Sequence, residues 1–231
     1  MTAIDIFAGI GLACRRGERP VFAGLDFTIE SGGALVLTGA NGAGKSSLLR
    51  LMAGLLRPAA GALRWNGAGP DDDPEAHRRR LAYLGHLGGI KPLLTPAEDI
   101  AFWLRYREAG LPPGETAPRV AEALAWAGLA ALQDMPSRFL SAGQRQRLAL
   151  ARATAQAASL WLLDEPATGL DAAGIAALTA RIAHHRAHGG MVIAATHQPL
   201  EMAQAATLDL DRFARQRGMV EDRAALLDAV A

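Results

Sequence analysis

Apolar positions in this chain follow two rhythms. Ala34-Leu-Val-Leu-Thr38, Ser159 to Leu163 and Gly190-Met-Val-Ile-Ala-Ala-Thr196 are short, nearly unbroken apolar runs, which predict strands covered on both faces. Val21-Phe-Ala-Gly-Leu-Asp-Phe-Thr-Ile29 alternates and predicts a strand with one buried face, and Gly61 to Gly67 reads as a short strand entering a turn. Between them the spacing lengthens. Leu48, Leu49, Met52 and Leu55 place one apolar stripe along a helix over Lys45 to Leu56, which Pro58 ends.

Asp71-Asp-Asp-Pro74 reads as a solvated acidic loop before a basic helix start at His77 to Arg80. Further helices are predicted over Ala97 to Arg107, Pro118 to Ala127 and Ala142 to Ala157, with a Pro/Gly linker at Leu111 to Gly114. A last long helix spans Asp171 to Ala187, and a short one is expected in the tail from Asp211 onward, to which the sequence assigns no function. Strands alternating with helices predict a parallel sheet with helices on both faces. The helical stretch from about 96 to 158 then reads as a subdomain inserted into that sheet, and residues 1–231 as a single domain, with a tail at 211–231.

Composition narrows the partners. At 231 residues, 50% of them hydrophobic, the chain can bury a sizeable core. It contains no run of about 18 or more apolar residues and no leader-like start, so membrane contact is expected only through partners and the chain is expected in the cytoplasm. A net charge of +1 argues against a nucleic-acid surface. Cys14 is the only cysteine, which leaves no internal disulfide. Lysine occurs only at Lys45 and Lys91.

Lys45 sits in Gly39-Ala-Asn-Gly-Ala-Gly-Lys-Ser46, where Gly39, Gly44, Lys45 and Ser46 meet the spacing G-x-x-x-x-G-K-S. With a strand before and a helix after, this is a phosphate-binding loop, because glycines let successive N–H groups turn onto phosphate oxygens at a helix N-terminus. Asn41, Gly42, Gly44 and Ser47 complete the cradle, Lys45 is placed to reach the β- and γ-phosphates, and Ser46 to hold Mg²⁺. The apolar run Leu160 to Leu163 ends in Asp164 and Glu165. Asp164 is the candidate metal ligand and Glu165 the candidate general base.

Leu140-Ser-Ala-Gly-Gln144, opening a helix and followed by Arg145-Gln-Arg147, is by itself an ordinary serine cap. It also resembles the signature element of ABC (ATP-binding cassette) proteins, with Ala142 where glycine is usual. Gly169-Leu-Asp171 resembles that family's D-loop and His197 its H-loop histidine. The resemblance implies a P-loop NTPase α/β core with an inserted helical subdomain, ATP and Mg²⁺ as ligands, and ATP hydrolysis. It also implies an ATP-dependent homodimer in which Gly39 to Ser46 of one copy faces Ser141, Gly143 and Gln144 of another, with Asp171 and His197 contributing.

Tyr83-Leu-Gly-His-Leu-Gly-Gly-Ile-Lys-Pro-Leu-Leu-Thr95 puts His86 where most ABC subunits carry the Q-loop glutamine. This stretch, with Arg16-Gly-Glu-Arg19 and Thr196-His-Gln-Pro199, resembles the ATP-binding subunits of bacterial cytochrome c maturation (haem exporter) systems. That implies a peripheral protein on the cytoplasmic side of the inner membrane, beside a CcmB-like transmembrane subunit and a CcmC-like haem handler. Two outputs stay open: haem export, or release of the haem-loaded chaperone CcmE. An ATPase subunit of a lipid or drug exporter is the alternative. His86 joins Glu165 and His197 as a candidate catalytic residue, with histidine's titration near neutrality as its distinctive property. The aromatic that usually stacks on adenine is missing around Cys14 to Gly17, which leaves two readings: Arg15 or Arg16 stacks on the base instead, or stacking is weak. The remaining histidines, His77, His184, His185 and His188, are expected at the surface.

Overall fold

A computed structural model describes residues 4–85, 88–108, 110–198 and 200–214. Its centre is a five-stranded parallel sheet, in the order β5 (Leu81–Leu84), β6 (Leu160–Asp164), β7 (Met191–Ala195), β3 (Ala34–Thr38), β8 (Ala206–Asp209). Alternate residues of the inner strands go to opposite faces. Leu160 and Leu162 of β6 join one core, with Met191 and Ile193 of β7, whereas Trp161 and Leu163 join the other, with Val192 and Ala194. Unbroken apolar runs are thereby explained, since each face of the strand needs its own apolar cover.

The first face is closed by helix α1 (Lys45–Met52), through Leu48, Leu49, Leu51 and Met52, and by an antiparallel sheet. That sheet has the order β2 (Arg19–Glu30), β1 (Ile6–Arg16), β4 (Ala60–Trp65). Phe7, Leu12, Phe22 and Leu25 carry its buried side. The second face is closed by α5 (Ala142–Thr154) and α6 (Ala172–Ala187), through Leu150, Ala153, Leu178 and Ile182. Each such leucine or isoleucine contributes about 1.5–3 kcal/mol of burial.

A third core joins α3 (Pro96–Arg107), α4 (Pro113–Trp126) and the outer side of α5, around Ile100, Leu104, Leu124, Leu140 and Leu148. Asp99 and Arg152 pin this layer together. Asp99 is fully buried and pairs with Arg152 at 3.2 Å. Arg152 also donates to the carbonyls of Gly88 and Gly89 and lies over the Trp103 ring. Burial pushes the Asp99 carboxyl up and the Arg152 guanidinium down, and the charge of each opposes the shift in the other.

Several expectations are corrected. Strands β1, β5 and β8 are not evident from the sequence, and the predicted strand at Val21–Ile29 belongs to the antiparallel sheet as the longer β2. Helix α1 stops at Met52, because Gly54 turns left-handed at φ 71° and the N–H groups of Leu55 and Leu56 both return to the Arg50 carbonyl. The basic run His77 to Arg80 ends helix α2 (Pro74–Arg80) and does not begin it. Asp73 caps that helix by accepting from Ala76 N–H at 2.9 Å, Pro74 occupies its first turn, and the cations sit at its negative end. The expected linker at Leu111 to Gly114 already contains the start of α4 at Pro113, and α5 ends at Thr154. His77 is buried, not at the surface: its Nε2 lies 2.9 Å from the Met52 carbonyl. Of the tail, only α7 (Asp211–Ala214) is described; residues 215–231 lie outside the described residues.

Candidate active site

The carboxyl ends of β3, β6 and β7 meet at one cleft of about 760 Å³. Its lining includes Asn41, Gly42, Gly44, Lys45, Ser46 and Ser47 from the loop after β3, Asp164 and Glu165 from β6, and His197 after β7. The end of a parallel sheet is where helix N-termini and loop amides converge, so it is a natural seat for an anion. Here the loop turns through Gly39, Gly42 and Gly44 at φ 130°, 87° and 107°. Gly44 has a second constraint: a Cβ there would lie 2.6 Å from Val21 Cγ1. No side chain caps α1 and no acidic residue occupies its first turn, which leaves its N-terminal amides open to a ligand.

Lys45 folds back across the loop, donating from Nζ to the Gly39 carbonyl at 2.7 Å and the Ala40 carbonyl at 3.2 Å. Ser46 Oγ donates to Asp164 Oδ1 at 3.1 Å. Asp164 Oδ2 is buried without a hydrogen-bond partner. A serine hydroxyl beside an unsatisfied carboxylate oxygen is an all-oxygen donor set, and it fits Mg²⁺, which takes one or two carboxylates and completes its shell with waters and phosphates.

Glu165 holds a left-handed backbone at φ 51°, uncommon for a residue with a side chain. Hydrogen bonds hold it there, including one to its carbonyl from Gln146 Nε2 at 3.5 Å. The Glu165 N–H donates to the Ala195 carbonyl at 2.8 Å, its carbonyl accepts from Thr168 N–H at 3.2 Å, and its Oε2 accepts from His197 N–H at 3.3 Å. Such a backbone costs on the order of 1–3 kcal/mol, and it turns the carboxylate toward the cleft mouth, where His197 Nε2 stands 3.6 Å from Oε1.

The cleft's other end is built by the hairpin that joins β1 to β2. Arg16 and Arg19 face each other in register across it, and both line the cleft with Pro20 and Val21. Arg15 points elsewhere, donating to the Glu18 carbonyl at 2.8 Å. Arg16 is therefore the arginine of that pair that lines the cleft.

A family model described as ABC transporter matches residues 22–168, which include the phosphate loop, the Leu140 to Gln144 element and the strand ending in Asp164. The chain belongs to the ABC transporter family. Among curated ABC proteins, it is 54% identical over 209 residues to the cytochrome c biogenesis ATP-binding export protein CcmA of Rhodospirillum rubrum, covering 90% of this chain and 87% of that one. It is 46% identical over 193 residues to CcmA of Escherichia coli, covering 84% and 89%. A solved ATP-binding subunit of an ABC transporter superposes with a TM-score of 0.76 at 28% identity, over 83% of this chain and 79% of that one. The ATP-binding cassette MJ0796, solved as a post-hydrolysis dimer bound to ADP and Pi, shares the fold at a TM-score of 0.73 and 24% identity, over 83% and 88%. The P-loop NTPase α/β core expected from the sequence is thus present.

The other residues expected at the ABC site lie outside this cleft. Ser141 caps α5: its Oγ accepts from Gln144 N–H at 3.2 Å, and Gln144 Oε1 accepts from Ser141 N–H at 2.7 Å. Gly143 packs against Gly169, whose carbonyl would lie 3.3 Å from a Cβ at position 143. Asp171 caps α6 by accepting from Gly174 N–H at 2.8 Å. Gly143 and Gly169 thus adjoin one another, and Ser141, Gly143, Gln144 and Asp171 are not among the residues that line the cleft. His86 lies outside the described residues. Sequence reading missed Arg19 and Arg50 in the cleft wall, and Asp211, whose carboxylate reaches the loop from the far end of the chain.

Proposed function

We propose that this chain is the ATP-hydrolysing subunit of an ABC complex for cytochrome c biogenesis. The observation that carries the hydrolytic reading is the meeting of Ser46, Asp164, Glu165 and Lys45 in one cleft at the ends of three adjacent strands. In this reading the amides from Asn41 to Ser47 hold the phosphates and Lys45 swings from its carbonyls to the terminal ones. Ser46 and Asp164 would hold Mg²⁺, which would supply neutralisation of the charge that develops on the phosphates. Glu165 accepts a proton from the attacking water, and His197 orients the Glu165 carboxylate and the γ-phosphate.

Completion by a second copy is supported by the placement of Ser141, Gly143 and Gln144. Their helix N-terminus does not line the cleft of its own chain, so a phosphate held by Lys45 would meet it only from another protomer. ATP then acts as an interface ligand, and its hydrolysis releases the two copies. The helical layer from about 96 to 158 is proposed as the subdomain that carries this signature, and Asp171 as a contact between copies. His86 is proposed as the counterpart of the Q-loop glutamine.

The biological assignment rests on the 46–54% identity to curated CcmA proteins over most of the chain. A CcmB-like transmembrane subunit and a CcmC-like haem handler are the proposed partners, with the chain peripheral on the cytoplasmic side of the inner membrane. Among the described residues no helix is long and apolar enough to cross a membrane. The cycle would end in haem export or in release of a haem-loaded chaperone. The test is genetic and biochemical together: replacing the gene with a Lys45→Ala copy is expected to abolish haem attachment to c-type cytochromes and ATPase activity of the purified complex. Normal cytochromes in that strain would overturn the assignment.

A further inference from the structure

Asp211 opens α7, in the segment for which the sequence suggested no role. Its carboxylate accepts the backbone N–H of Ala40, at 3.0 Å to Oδ2 and 3.2 Å to Oδ1. The peptide unit that supplies this N–H also carries the Gly39 carbonyl, which accepts from Lys45 Nζ at 2.7 Å. One peptide of the phosphate loop is therefore held between a carboxylate and an ammonium. Each contact is charge-assisted, and each polarises the peptide in the direction that strengthens the other.

The arrangement is built into the fold from both sides. Gly39 has a φ of 130°, which side chains rarely adopt, and a Cβ there would stand 3.1 Å from Ala43 Cβ and in ordinary contact with Asp211 N and Oδ1, both at 3.4 Å, so Asp211 packs directly against this glycine. Asp211 is itself fixed: its N–H donates to Asp209 Oδ1 at 3.0 Å, and the N–H of the preceding Leu210, which is fully buried, donates to the Thr38 carbonyl at 3.0 Å. Strand β8 runs parallel to β3, whose end begins the loop, and Phe213 packs on the main core. Arg212 does not neutralise the carboxylate, since it turns to Asp209 at 3.5 Å.

We propose that Asp211 is a positioning residue for the phosphate loop, making the C-terminal segment part of the nucleotide site. It fixes the orientation of the Gly39–Ala40 peptide and, through it, the place from which Lys45 departs to meet phosphate. The proposal rests on the reading of this loop as a triphosphate site. Asp211 touches no reacting atom in it. Its loss should therefore weaken nucleotide capture and leave the chemical step largely intact.

The test measures the equilibrium Kd for ATP with magnesium on the full chain, together with KM and kcat. Asp211→Ala is expected to raise Kd and KM about tenfold, as loss of a charge-assisted hydrogen bond does, with kcat changed less than about twofold. Asp211→Asn, which keeps an acceptor oxygen, should recover most of the affinity. Arg212→Ala, on the same helix but off the loop, should change neither constant. Wild-type affinity in Asp211→Ala would overturn the proposal, as would a parallel fall in kcat and melting temperature that Asp211→Asn does not relieve. If the wild-type chain binds no ATP, the nucleotide reading itself fails, and this outcome is separate from the first two.

Discussion

Glu165 and His197 are tied across neighbouring strands: the His197 N–H donates to Glu165 Oε2 at 3.3 Å, while Glu165 is held at φ 51°. The contact helps set the direction of a carboxylate whose backbone is already strained and which lines the cleft; in the proposed mechanism this carboxylate is the base. Glu165→Gln keeps the size and one acceptor oxygen but cannot take up a proton. Hydrolysis should slow by about two orders of magnitude or more, while ATP binding is retained. Single-turnover hydrolysis and equilibrium binding measured on one preparation check this, and normal turnover would remove Glu165 as the base.

Arg16 and Arg19 oppose each other at the hairpin tip, both exposed, and neither forms an ion pair among the described residues. Like charges directly opposite in a sheet disfavour one another, and an aromatic base lying over either guanidinium adds a cation–π attraction. A guanidinium over a base contributes about 0.5–2 kcal/mol and does not read its exocyclic groups. ATP and GTP should therefore bind within about threefold of each other, and Arg16→Ala should weaken both by about 2- to 30-fold. Competition binding with the two nucleotides decides it; a large preference for ATP that survives Arg16→Ala would place base recognition elsewhere.

Asp99 and Arg152 are buried partners, so removing one leaves the other charge buried without its counter-ion. Asp99→Ala should destabilise the chain by about 3–5 kcal/mol. At about 2–4 °C per kcal/mol for a chain of this size, the melting temperature should fall by roughly 10 °C. Thermal denaturation followed by circular dichroism gives the answer. A shift of only a degree or two would mean that Arg152 finds compensation from Gly88 and Gly89 alone.

His185 stacks on Trp161 with ring centroids 3.9 Å apart and planes 3° from parallel. Burial is the main cause that lowers its pKa from 6.5 to about 4. The unfolded chain then binds this proton more readily than the folded one between about pH 6.5 and 4. Stability from this residue is full above the upper limit and falls as pH drops through that window. Burial shifts His77 in the same direction. His185→Phe should flatten the decline in melting temperature between pH 6.5 and 4, and an unchanged slope would assign the acid sensitivity to other groups.

Local chemistry makes many of the residues that share this cleft legible in the sequence. Gly39 to Ser46 need a strand before and a helix after, and both neighbours announce themselves by apolar period, so the loop, Asp164 and Glu165 could be placed as one cluster. Corrections came where local and distant forces compete. The run His77 to Arg80 looks polar enough to start a surface helix, yet its histidine goes into the core because Met52, in another helix, offers a carbonyl. Ile6–Arg16 mixes glycine and arginine with its apolar residues, and it becomes a central strand only because β2 and β4 flank it on both edges.

From the sequence alone came the phosphate loop, the paired acids at a strand end, the parallel-sheet class and the family resemblance, because each depends on residues close in the chain. Only the tertiary structure decided that Arg16 and not Arg15 lines the cleft, that Asp99 lies buried against Arg152, and that Asp211 grips Ala40 from 171 positions away. Those relationships depend on which strands lie side by side. That order is set by the summed burial of two sheet faces, a quantity no short stretch of residues carries.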